Sequence, residues 1–277
     1  MARRSYFDVL TAAVADLTAH GFDSSERLEY WEKQLRDSAE ASMASTHQMQ
    51  EMLRSGLTMI YRRMVENEGA LKHHPGVSRF TLQKIAPKLR TELDRRIMAS
   101  AQLIRLNRKQ TIEKTLQRFA GWATSIPKGG TKATDKVKTK TDIAKSLRSA
   151  PFEERRVLID QGHKLTASIN EIIASDGGAI AIRWRSHWRQ SGYNYRPDHK
   201  ERDGNIYLIR GSWASKAGLV KRGPAGYYDE VTAVAEEPFC RCFAVYLYAL
   251  RDLPEDMLTP KGKAELERVR AQIAGMT

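Results

Sequence analysis

A chain of 277 residues holds one large domain or two modest ones. Its hydrophobic fraction of 41% excludes a wholly disordered chain, and no run nears the ~18 apolar residues of a membrane-spanning helix. The net charge of +13 is concentrated, because residues 79–148 alone hold 18 basic and 5 acidic side chains. Such a field suits a polyanion, either nucleic acid or the acidic lining of another protein; the plainer alternative is a solvated helix face with a basic linker. Two cysteines one residue apart make no disulfide framework and fit a reducing setting. No apolar stretch follows the basic N-terminus, so no secretory signal is expected.

Residues 5–19 predict an amphipathic helix with Phe7, Leu10, Val14 and Leu17 on one face, ended by Gly21. Asp23, Ser24 and Ser25 are placed to cap the next helix. From Ser25 to Glu68 a helical rhythm continues through Leu28, Trp31, Leu35, Met49, Met52, Leu53, Ile60, Tyr61 and Met64. Within it, residues 37–50 lack large aliphatic side chains and read either as a helix with small contacts or as a break. A turn is expected over residues 68–76.

Residues 78–123 predict a short helix, an interruption at Pro87, and a long helix after it. Leu89, Leu93, Ile97, Ala101, Ile104, Ile112 and Leu116 make its apolar stripe, as in a bundle or coiled-coil helix. Residues 126–150, rich in Lys, Gly and Thr, are expected to be a flexible basic linker between a helical region (1–125) and a C-terminal domain (151–250). Pro151 should open a helix reaching about Gln161, and a further helix should run from His163 to Ser175. Beyond Gly178 the pattern shortens. Residues 179–184 are a strand or a helix, 205–209 and 243–250 are strands, and 223–228 is a loop. Residues 251–277 form a tail with a charged helix behind Pro260. The fold class is α+β, with an elongated helical N-terminal region and a small mixed C-terminal domain.

Chemistry-bearing residues collect in the last third. No cofactor is expected as a rule of composition; the one candidate is zinc, held by His199, Cys240 and Cys242, with Asp203 or His187 as a fourth ligand. The alternative is that the cysteines flank a buried turn while Arg241 pairs with Asp198 or Glu237. A nuclease would use His199 with Asp203, Arg196 and Glu171, but no phosphate-cradling loop and no nucleophile with an oriented base accompany them. A His fixing the D-G turn is the plainer reading. Trp184, Trp188, Tyr193, Tyr195 and Tyr207 are either domain core or an interaction face. For phosphate contact the candidates are Arg90, Arg95, Arg96, Arg105, Arg108, Lys109, Lys132, Lys136, Lys138 and Lys140.

Residues 155–245 resemble the C-terminal domain of the phage Mu F-type minor head proteins. The resemblance is carried by Arg196, His199, Asp203-Gly204 and Pro238-Phe239-Cys240-Arg241-Cys242, with Glu171 on the preceding helix. Two departures stand out: A-S-I-N-E replaces the family's helix pattern, and Phe239 stands where a small polar residue is common. The resemblance implies a structural virion protein, not an enzyme. It would lie in the capsid interior or at the portal vertex, after synthesis in the host cytoplasm. Its implied roles are head morphogenesis, genome packaging and genome ejection. Its implied partners are the portal protein, packaged double-stranded DNA, and the scaffold or major capsid protein. The alternatives are a DNA-processing nuclease and a host-directed effector delivered with the genome.

Overall fold

The computed structural model describes residues 5–275. Helices dominate the N-terminal part and a three-stranded antiparallel sheet lies in the C-terminal region, so the chain is α+β. It divides into two compact units, each made of two separate pieces of chain: residues 1–54 with 97–158, and residues 55–96 with 159–277.

The first unit is all helical. Helix α1 (Tyr6–His20) begins with a capping box between Ser5 and Asp8 and ends at Gly21. Its buried face is Leu10, Ala13, Val14 and Leu17, joined by Tyr6 and Val9, while Phe7 is exposed. Helix α2 (Ser25–Ser42) is capped by Ser24. It ends at Met43, and α3 (Thr46–Tyr61) starts a few residues on, so the 37–50 stretch contains a break. The second part of α4 (Arg79–Ala123) and the first part of α5 (Lys136–Asp176) complete the unit. Leu35, Ile112, Leu116, Phe119, Ile143 and Leu147 close the core over α1. Met49, Leu53, Ile104 and Val157 form a smaller second cluster.

Three sequence expectations fail here for one kind of reason. Pro87 does not interrupt α4, and Pro151 lies inside α5 rather than opening it, so no break precedes His163. Both prolines are exposed, whereas Leu82, Ile85, Leu89 and Leu93 around Pro87 are buried. Packing of that face on both sides of the ring outweighs the lost backbone bond. Nor is 126–150 a flexible linker. From Lys136 it is helix, capped by Asp135, whose Oδ1 accepts the Val137 and Lys138 amides at 3.0 Å. Ile143, Ala144 and Leu147 are buried behind its exposed lysines. The stretch before it is bonded to the end of α1: Gly129 N–H donates to His20 O (2.9 Å) and Thr131 N–H to Thr18 O (2.9 Å). That approach requires glycine, since a Cβ on Gly130 would meet the Thr18 carbonyl oxygen at 2.3 Å.

In the second unit, α3 ends in a π-turn (Arg62–Glu66), followed by a 3-10 turn (Gly69–His73). The sheet has the order β2-β1-β3, with β1 Ala181–Arg185, β2 Ile206–Leu208 and β3 Phe243–Leu247. Short helices α6 (Pro197–Glu201) and α7 (Trp213–Lys216) lie in the connections, and α8 (Pro260–Ala274) follows, capped by Thr259. One sheet face packs on Leu219, Leu250, Leu253, Met257 and Leu258. The other carries Ile182, Trp184, Tyr207 and Tyr246 with both cysteines. His74, fully buried, bonds Tyr248 Oη (2.5 Å) and Asn170 Oδ1 (3.0 Å) and stacks on Tyr246.

Candidate metal centre

Strand parity builds this site. Alternate residues of an extended chain share a face. Cys240 and Cys242 precede β3 in step with Ala244 and Tyr246, so both thiols enter the core while Arg241, Phe243 and Val245 are exposed. On β1, Trp184 pairs with Ala244. Continuing that register two residues, past Arg185 and Phe243, sets Ser186 opposite Cys242.

The third participant comes from α6. Arg196 caps this short helix, Pro197 starts it, and His199 is buried beneath Trp184. His199 Nδ1 lies 3.5 Å from Cys240 Sγ and 3.4 Å from Cys242 Sγ. The three ligand atoms fall within 4.8 Å of one another, and all three residues are buried. One ring N–H serves one acceptor well. Near-equal distances to two sulfurs instead suit a cation held among the three, and the group could hold a metal ion. Zn–S bonds of ~2.3 Å and Zn–N bonds of ~2.05 Å around a tetrahedron separate N from S by about 3.5 Å. The hydrogen bond from Cys242 brings the Cys240 thiol down to about 5, and the same bond pushes Cys242 up.

The surroundings are polar where the sulfurs need it. Trp184 Nε1 and Ser186 Oγ are buried without a conventional partner, with Ser186 across from Cys242 in the register and Trp184 in the same core cluster as Cys242. His199 Nε2 is also buried and unpaired, with Asp198 Oδ2 at 3.8 Å and Glu237 Oε2 at 3.9 Å beyond it.

A tight turn leads into the first cysteine. Cys240 N–H donates to Glu237 O (3.2 Å), with Pro238 and Phe239 at the turn's centre and Phe239 at φ 60°. A type II turn asks for glycine there, and a bulky residue costs ~1–2 kcal/mol. Three contacts hold it. Phe239 N–H donates to Asp160 Oδ1 (2.6 Å), Arg196 donates to Pro238 O (2.9 Å), and Arg196 pairs with Glu237 (2.5 Å).

Several expectations are corrected. Asp203 is not placed as a ligand or as a partner of His199. Its carboxylate accepts Ser186 N–H (3.0 Å) and Trp188 Nε1–H (2.9 Å), and the Ser186 bond is the main reason it is held below the usual range. His187 is exposed against Phe243 and stands outside the group. Arg241 pairs with neither Asp198 nor Glu237, which are taken by Arg202 and Arg196; it lies over the Tyr193 ring. The D-G turn is fixed by Gly204 N–H donating to Trp184 O (2.9 Å) at φ 89°, not by His199. Glu171 lines a separate pocket with Arg96, Lys164, Ser168 and Glu236, where desolvation and then Glu236 raise its carboxyl. Of the aromatics, Trp184 and Tyr207 are core, whereas Trp188 and Tyr195 are half-buried beneath Lys200.

The basic candidates separate too. Arg95 and Arg96 are bonded to Glu92, Arg108 to Glu154 and Ala44 O, Arg90 pairs with Asp94, and Lys140 reaches Thr11. Among the described residues, Arg105, Lys109, Lys132, Lys136 and Lys138 are exposed, and no ion pair engages them. The roles of Asp160, Ser186 and the Trp184 indole N–H escaped sequence reasoning. The β1–β3 register could have flagged Ser186, but nothing local ties Asp160 to a turn 79 residues away.

Comparison with protein-family models, curated proteins and solved structures finds no match to this chain. Among the described residues, no helix is long and apolar enough to cross a membrane.

Proposed function

We propose that this chain is a minor head protein of a tailed phage, acting in head morphogenesis at or near the portal and contacting packaged DNA. The observation that carries the reading is the convergence of Arg196, His199, Pro238, Cys240 and Cys242, some 40 residues apart in sequence, on one turn. These are among the residues on which the Mu F-type resemblance rests; Glu171 and Asp203 are engaged elsewhere. Supporting DNA contact are Arg105, Lys109, Lys132, Lys136 and Lys138, which present charge without intramolecular ion pairs. Such cations suit phosphates rather than base edges. The portal protein is the proposed docking partner, with the scaffold or major capsid protein as further ones. The ion of the buried group is zinc on this reading, because imidazole and thiolate together are its preferred donors. The nuclease alternative is weakened by Asp203, whose carboxylate is occupied away from His199.

The test is quantitative mass spectrometry of purified virions beside DNA-free proheads. A few copies in both particles support a minor head protein. Copies that leave with the genome support the ejected form. Absence from both overturns the reading.

A further inference from the structure

The His199–Cys240–Cys242 group joins helix α6 to the run that leads from the Glu237–Cys240 turn into β3, beside the end of β1 with Trp184 and Ser186. Neither α6 nor the turn is self-sufficient. Helix α6 has five residues, far below the ~12–15 that an isolated helix needs. The turn carries a phenylalanine in a left-handed conformation. The indole N–H of Trp184, the hydroxyl of Ser186 and Nε2 of His199 are all buried without a conventional partner. Orphaned polar atoms around a core cluster are destabilising unless a charge or a ligand engages them.

We infer that a zinc ion bound by His199 Nδ1, Cys240 Sγ and Cys242 Sγ is a structural staple for the C-terminal unit, and that Trp184 and Ser186 are its positioning residues, donating to the Cys242 thiolate. Each orphaned atom then gains a role. With Nδ1 on the ion, Nε2 bears the ring proton and directs it toward Asp198 and Glu237, the carboxylates at 3.8 and 3.9 Å. Such outer partners orient a ligating imidazole and raise its basicity. The indole and hydroxyl stabilise sulfur in the deprotonated form that binds metal. Two thiolates neutralise the dication, so the buried group carries no net charge. The ion draws α6 and the Cys240–Cys242 run together. The inference rests on the zinc reading of this group and is independent of the virion reading.

The experiment uses the full chain. Metal content is measured after purification, and zinc affinity by competition with a chromophoric chelator. Urea unfolding is followed by near-ultraviolet circular dichroism with and without zinc. Cobalt(II) replaces zinc as a spectroscopic probe. One zinc per chain is expected, with thiolate-to-cobalt charge-transfer bands and a lower unfolding midpoint after chelation. Ser186→Ala and Trp184→Phe should each weaken zinc binding about 10–100-fold while keeping the stoichiometry. Ser186→Ala removes only a hydroxyl, so it answers even if Trp184→Phe or His199→Ala fails to fold. No zinc uptake overturns the zinc reading and the inference together. Zinc uptake with an unchanged unfolding midpoint, or with Ser186→Ala binding as tightly as the parent, overturns the inference and leaves the zinc reading standing.

Discussion

Asp160 tests whether the metal-side turn is held from α5. Its carboxylate is buried. Oδ1 accepts the Phe239 amide at 2.6 Å, and Oδ2 meets Lys164 Nζ at 3.2 Å. Gln161 Nε2 also donates to Oδ2 (3.3 Å), and Asp160→Ala takes the carboxylate from all three partners at once. A hydrogen bond to a charged acceptor contributes ~1.5–3 kcal/mol, and breaking a buried ion pair from one side costs ~3–5 kcal/mol. Lys164 keeps 14% of its side chain exposed and can turn to water, so the lower range applies. The unsupported Phe239 amide and its left-handed backbone add to the loss. Together these give a destabilisation of about 2–3 kcal/mol for the C-terminal unit. Asp160→Asn keeps a neutral acceptor and should lose about half of that. Asp160→Ala combined with Lys164→Met should recover part of the loss by removing the stranded ammonium. Urea denaturation of the parent, Asp160→Ala, Lys164→Met and the double variant completes the cycle. A loss below ~0.5 kcal/mol for Asp160→Ala, the range of ordinary surface changes, would refute the reasoning.

Three further outcomes follow from other contacts. Pro87 sits exposed inside α4, so Pro87→Ala should raise stability by up to ~3 kcal/mol in thermal or urea unfolding; a loss would mean that the ring itself packs. Burial depresses the His74 pKa, so the folded chain holds that proton less well than the unfolded one. His74's contribution to stability is therefore intact above the unfolded value of ~6.5 and is lost as pH falls through the folded pKa, by at most ~1.4 kcal/mol per pH unit. His74→Phe should flatten that part of the stability–pH curve. Finally, Lys132→Ala, Lys136→Ala and Lys138→Ala together should reduce the salt slope of DNA binding by about 2–3, at ~0.9 per phosphate contact. Arg95→Ala should leave that slope unchanged, because Arg95 is already spent on Glu92.

What the sequence made legible was chemistry that acts within a few residues. The Ser24 cap, the Gly21 stop and the Asp203-Gly204 turn all declare themselves locally. What it hid was decided at a distance. Pro87 and Pro151 look like boundaries until the buried leucines and isoleucines on the opposite faces are seen to run past them. The lysines of the 126–150 stretch mask Ile143, Ala144 and Leu147, whose partners lie more than a hundred residues earlier in α1. At the metal centre, residue type singled out His199, Cys240 and Cys242. Type alone could not reject Asp203 and His187, because the register that turns them away is a property of the sheet.

The interleaving of the two units constrains how the chain can be born. Leu10, Val14, Leu17 and Leu35 leave the ribosome early, but the Ile143 and Leu147 that cover them are made last in that core. At ~5–20 residues per second, the roughly hundred residues between them take about 5–20 s to synthesise. Through that interval the first helices present an apolar face with no lid, and a chaperone or a collapsed intermediate must shield it. Splitting the gene at the Lys-rich stretch, where the sequence invites a cut, would make the exposure permanent: each product would hold two incomplete cores and neither unit whole.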